Sequence, residues 1–161
     1  MRVLTVNNPD DEKFLRTPTK EFVFADHSPE EVEQLISDMR VSMKDHDGMG
    51  LAANQVGLPH RVFIAEPPVE GRSKKFYAIF NPIIESVSED KIDNIEGCLS
   101  VPNTSGLVSR HTRLTITAQD QFGRPLRLKV SGVLARIFQH EIDHLNGVLF
   151  VDKATDIQKE K

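Results

Sequence analysis

The segment SGVLARIFQHEIDHL, from about Ser131 to Leu145, is apolar along two stripes at once, and this narrows the possible folds more than any other feature of the chain. At helical spacing Leu134, Phe138, Ile142 and Leu145 make one stripe. Val133, Ile137, His140 and His144 make a second, with steps of four, three and four, so an apolar groove runs into a pair of histidines. A surface helix buries a single stripe. A helix with two must be covered on more than one side, and the rest of the chain has to supply the cover. Asn146-Gly147 is a good C-terminal stop.

The cover is legible as strands. RLTITAQD alternates Leu114, Ile116 and Ala118 against threonines, and PLRLKV alternates Leu126, Leu128 and Val130 against Arg127 and Lys129. With QFG between them the two predict an antiparallel hairpin. RVFIAE and KFYAIFNPIIESV are further β-branched and aromatic runs, punctuated by EPPVEGRS and NP. Before them, SPEEVEQLISDMRVSMKDHDG predicts an amphipathic helix, with Ser28 as cap, Pro29 at the first position and Glu31 closing a capping box. The expected class is α+β: antiparallel strands packed around a central helix carrying the histidines, with an N-terminal amphipathic helix. No repeat or linker divides the 161 residues, so one domain over 1–161 is expected, with a charged tail from about residue 151 that frays.

His140-Glu141-x-x-His144 places two imidazoles on one helix face with a carboxylate beside them. That pattern serves a metal and a proton carrier, or merely a solvated polar face. A catalytic metal site needs a third protein ligand. His27, His46, His60, His111, Cys98 and the carboxylates all qualify by type; Cys98, the single cysteine, can equally be a buried small apolar residue. A third segment, DGMGLAANQVGL, has a compact backbone and one side-chain amide of useful reach, Gln55, and reads equally as a loop packed on a sheet.

Together these segments are no longer independent. Gly48-x-Gly50-Leu51-Ala52-Ala53-x-Gln55, Glu96-Gly97-Cys98-Leu99-Ser100 and Gln139-His140-Glu141-x-Asp143-His144 resemble, in order and spacing, the three motifs of the peptide deformylases, and the likeness covers almost the whole chain. The resemblance implies removal of the N-formyl group from formylmethionine at the start of new bacterial-type polypeptides, with one divalent metal: Fe(II) as expected in the cell, with Zn(II), Ni(II) or Co(II) suiting the same ligands. By the matching positions, Cys98, His140 and His144 are the expected ligands and Glu141 the general acid/base. Gln55 and the Leu99 N–H are the expected oxyanion donors. Met49, Val133 and Ile137, bordered by Gly48 and Gly50, read as an apolar slot for the substrate side chain or as ordinary core, and Asp143 as a partner of Arg110 that fixes the ligand helix or as a member of a surface salt bridge.

Composition limits the partners. A net charge of −4 and a longest basic cluster of only GRSKKF give no sign of nucleic-acid or anionic-membrane binding. No apolar run approaches the roughly 18 residues of a membrane span, and the N-terminus turns acidic too early for a secretory signal, so a cytoplasmic location is expected. Formylated nascent peptides are the expected partners, with transient ribosome contact in doubt because only 11 residues follow Phe150. Three departures from the family pattern stand out: Asn54, expected to be harmless; Asn103-Thr104-Ser105, where an arginine is common; and Arg136, a charge beside the apolar slot. Two other functions fit the same residues: an HExxH metallopeptidase and a non-catalytic metal- or peptide-binding relative.

Overall fold

The computed structural model describes residues 1–67 and 75–159. Most of the EPPVEGRS punctuation and of the GRSKKF cluster lies outside the described residues. The chain is α+β with antiparallel sheets and three α-helices among the described residues. In order they are α1 (Pro9–Leu15), α2 (Pro29–Asp45), β1 (Gly50–Ala52), β2 (Val62–Ala65), β3 (Tyr77–Val87), β4 (Lys91–Cys98), β5 (Val101–His111), β6 (Arg113–Gln119), β7 (Pro125–Ser131), α3 (Gly132–Leu145) and β8 (Thr155–Lys159). One sheet runs β1-β2-β3-β6-β7 and the other β4-β5-β8. No helix among the described residues is long and apolar enough to cross a membrane.

Local chemistry accounts for most of the boundaries. The Ser28 hydroxyl accepts from the Glu31 N–H at 3.2 Å while the Glu31 carboxylate accepts from the Ser28 N–H at 2.7 Å, so the capping box that starts α2 is complete. Helix α2 is not the first helix, as the sequence reading had it. Helix α1 precedes it, capped by the Asn8 side chain, which accepts from the N–H groups of Asp10 and Asp11, with Pro9 in the first turn. Seven residues are too few to show a period, and only the cap composition betrays them.

The β6–β7 hairpin takes the register that its alternation demands, with Leu114 opposite Val130, Ile116 opposite Leu128 and Ala118 opposite Leu126. By contrast β4 is exposed along most of its length, so it carries no apolar period. Its pairing with β5 is fixed by the ladder from Lys91↔His111 to Cys98↔Val101. The tail behaves differently from the fraying expected of it. Residues Thr155–Lys159 add a third strand to this sheet through β5, with every side chain exposed, so backbone pairing rather than burial holds them.

Helix α3 sets Phe138, Ile142 and Leu145 against Phe63, Ile79, Leu114 and Ile116 of the larger sheet. Phe138 and Leu145 are fully buried, and each such side chain contributes about 1.5–3 kcal/mol. Toward the smaller sheet the helix presents polar groups instead: Gln139 brackets His111, and Asp143 pairs with Arg110. The helix ends where Gly147 takes a φ of +74°, and a β-carbon there would lie 2.7 Å from the Arg16 carbonyl carbon.

Gly147→Ala therefore combines a left-handed backbone with a clash against backbone. It should cost roughly 2 kcal/mol or more and lower the melting temperature by about 4–8 °C. A thermal melt superposable on wild type would show that the α3 terminus yields freely.

Candidate active site

Three side chains distant in sequence meet at one end of α3. His140 and His144 stand one turn apart on the helix, and Cys98 ends β4, where a register irregularity between Gly97 and Cys98 breaks the regular ladder. Cys98 Sγ lies 3.1 Å from His144 Nε2, which lies 3.2 Å from His140 Nε2. One donor atom from each residue falls within 4.8 Å of the others. The set can hold a metal. Ligands about 2.0–2.3 Å from one tetrahedral ion stand roughly 3.3–3.7 Å apart, and the two shortest separations here are only slightly tighter. Thiolate with two imidazoles is a borderline-soft set that suits first-row divalent metals. Burial pushes the Cys98 thiol up, but the adjacent His144 and His140 outweigh it and hold the group well below its ordinary range. The sulfur is thus poised as a thiolate.

Behind His140 lies a buried ion network. Glu96, 7% exposed, accepts from Arg110 Nε and Nη2 at 2.9 Å each, from Arg136 Nη1 at 2.7 Å, and faces His140 Nδ1 at 3.0 Å. Burial pushes the Glu96 carboxyl up, yet the hydrogen bonds from Arg110 and His140 hold it far below the usual carboxylate range. A carboxylate at Nδ1 holds a proton there and turns the Nε2 edge of the ring toward Cys98 and His144. Arg110 also donates to Asp143 at 2.5 Å, and Lys153 reaches the other Asp143 oxygen at 2.7 Å.

Gln55 is held on a short 3-10 turn, Ala53–Val56. Its carbonyl accepts from the Ala52 N–H at 2.9 Å, and its amide nitrogen donates to Ser100 Oγ at 3.2 Å and to Cys98 Sγ at 3.5 Å. The donor end therefore faces the cluster. Asn54 is more than harmless: its amide donates to the His144 carbonyl at 2.6 Å, tying the turn to the end of α3. Glu141 is 4% exposed, with Oε2 lacking a hydrogen-bond partner, and burial raises its carboxyl to about 7. Gly50 makes room for it, since a β-carbon at that position would lie 2.9 Å from Glu141 Cδ and 3.0 Å from Ile137 Cγ2.

Gln55, Glu96, Cys98, His140 and Glu141 line one cavity of about 710 Å³, while His144 is buried. Gly48, Met49, Gly50 and Gln55 form one wall, the β4–β5 hairpin from Ile95 to Leu99 and from Val101 to Ser105 another, and Val133, Arg136, Ile137, His140 and Glu141 of α3 the floor. Ile137 is buried, while Met49 and Val133 are about half exposed at the mouth. The slot residues expected from sequence thus share one cavity. Arg110 and Asp143 sit outside it, behind His140. Glu96 and Ser100 were not expected as site residues, because spacing alone does not say where a strand or turn residue points; Arg136, a charge beside the slot in the sequence, lines the cavity from α3.

Glu96→Gln keeps the shape but removes the charge that fixes His140, so metal affinity should fall about 10–100-fold. Competition with a chromophoric chelator measures this, and an unchanged constant would mean that His140 is oriented by packing alone.

The polypeptide deformylase family profile matches residues 2–160. Peptide deformylase 2 of Gloeobacter violaceus is 44% identical over 124 residues, covering 77% of this chain and 66% of its own length. Among solved structures, a probable peptide deformylase from Synechococcus phage S-SSM7 is similar over 95% of this chain and 99% of its own, at 37% identity and a TM-score of 0.85. The Synechococcus elongatus peptide deformylase in complex with actinonin is similar over 97% of this chain and 81% of its own, at 36% identity and a TM-score of 0.86. Sequence, fold and the cavity's residues agree, and the chain belongs to the polypeptide deformylase family.

Proposed function

We propose that this chain hydrolyses the N-formyl group from peptides that begin with formylmethionine, releasing formate and a free amine. The carrying observation is that Cys98, His140, Glu141 and Gln55 line a single cavity, with His144 completing the donor cluster from its buried place beside Cys98 and His140. In this reading Cys98, His140 and His144 hold one divalent ion, with Fe(II) expected and Zn(II), Ni(II) or Co(II) accepted by the same donors. When bound, such an ion polarises a carbonyl and lowers the pKa of water from about 15.7 to near 7.

The chain's own groups carry the rest. Glu141, with a carboxyl near 7, is matched to accept a proton from the attacking water and return it to the leaving nitrogen. The water oxygen bonds to the formyl carbon, the C–N bond breaks, and the returned proton completes the amine. Gln55 Nε2 and the Leu99 N–H donate to the formyl oxygen as its charge develops, each such donor being worth about 3–4 kcal/mol. Met49, Val133 and Ile137 take the methionine side chain, and Gly48 and Gly50 let the backbone close over it. A single catalytic unit over 1–161, with α3 as its central metal-binding helix, organises this chemistry. The family match and the cysteine in EGCLS favour this reading over an HExxH metallopeptidase, and the intact ligands and base favour it over a silent binding module.

Protein reconstituted anaerobically with iron, nickel or cobalt should release formate from formyl-Met-Ala-Ser and spare acetyl-Met-Ala-Ser. Cleavage of internal bonds instead would make the chain a peptidase. Replacing Glu141 by Gln should leave metal content near stoichiometric while turnover falls by at least about 100-fold. Cys98→Ala should lose the metal on dialysis; full retention by elemental analysis would remove the sulfur from the ligand set.

A further inference from the structure

Arg136 is a charge in an otherwise apolar stretch of cavity wall, yet only 14% of its side chain is exposed. Its guanidinium is hydrogen-bonded into the β4–β5 hairpin. Nη1 donates to Glu96 Oε1 at 2.7 Å and to the Val108 carbonyl at 3.0 Å, and Nη2 donates to the Ile92 carbonyl at 2.6 Å. One side chain of α3 thus grips β4 twice and β5 once, while its stem stays in the floor between Val133 and His140. The hairpin it grips is the opposite wall, which contributes Ile95, Gly97 and Thr104 to the cavity. Ile92 and Ile95 are 59% and 67% exposed, so little apolar burial holds this part of β4 against the helix. Hydrogen bonds have to do it.

We propose that Arg136 is a positioning residue that clamps the β4–β5 hairpin to α3 and so fixes the width of the cavity that receives the substrate peptide. The inference rests on the deformylase reading for its substrate but not for its geometry. Metal holding is separable from the clamp, because Glu96 keeps both Arg110 bonds and its contact with His140 when Arg136 is removed. The two carbonyls that Arg136 serves lose a charged donor, and the wall they belong to loses its link to the floor. Gln139 and Asp143 still pin the hairpin farther along, at His111 and Arg110, so the loosening is confined to the cavity end.

The test compares wild type, Arg136→Met, which keeps an apolar stem, and Arg136→Lys, which keeps one donor group. All are loaded with nickel and assayed on formyl-Met-Ala-Ser. Arg136→Met should raise KM about tenfold with kcat changed by less than about threefold, since only binding geometry is lost. Amide hydrogen exchange should quicken in 91–98 and 101–109 but not in α2, and Arg136→Lys should recover part of both effects. Unchanged KM with unchanged exchange in an active wild-type background would overturn the clamp. Loss of nickel from Arg136→Met would also overturn it, by showing that Arg136 acts through Glu96 and His140. Should Arg136→Met fail to fold, Arg136→Lys decides alone: a raised KM with quickened hairpin exchange supports the clamp, and wild-type values overturn it. A wild type that releases no formate would defeat the functional reading, while the exchange comparison would still decide the clamp.

Discussion

One buried carboxylate holds the two halves of this molecule in register. Glu96 brings a negative charge from β4 into a space where an unpaired ion would cost several kcal/mol. It is compensated by Arg110 from β5 and by Arg136 and His140 from α3. Arg136 and His140 stand one turn apart on α3, while Glu96 and Arg110 come from paired strands of the hairpin. The network forms only when the hairpin and the helix are both in place, and once formed it fixes the ring that faces Cys98. A buried ion pair is weak evidence for stability in itself. Its value here is orientation, because the same carboxylate that pairs with two guanidinium groups also holds the Nδ1 edge of the His140 ring.

The reactive side of the cavity is built by exclusion. Glu141 titrates near neutrality because burial disfavours its charge, and that burial depends on a strand without a side chain at Gly50 pressing against it. Gln55 is aimed in the opposite manner, by satisfaction of its carbonyl at the Ala52 N–H, which leaves the amide nitrogen toward Ser100 and Cys98. Small residues at 48–53 are therefore not slack in the sequence. They let the backbone come near enough to shape both groups, and Asn54 anchors the same turn to the end of α3.

The membership of the family and the identity of the candidate ligands were legible in the order and spacing of three short motifs. So were α2, α3 and the β6–β7 hairpin, because each shows its buried face as a period, and α2 shows its start as a capping box. Helix α1 escaped because seven residues hold too few repeats, β4 because one exposed strand looks like polar loop, and β8 because backbone pairing needs no apolar side chains.

The sequence by itself determined which donors are present and that one helix, apolar on two stripes, had to be enclosed. Only the tertiary structure decided what encloses its polar side and where Glu96, Arg110 and Arg136 point. Periodicity records burial along a single element. The pairing of buried charges is settled by strand register and helix rotation between elements, and neither is written in local spacing.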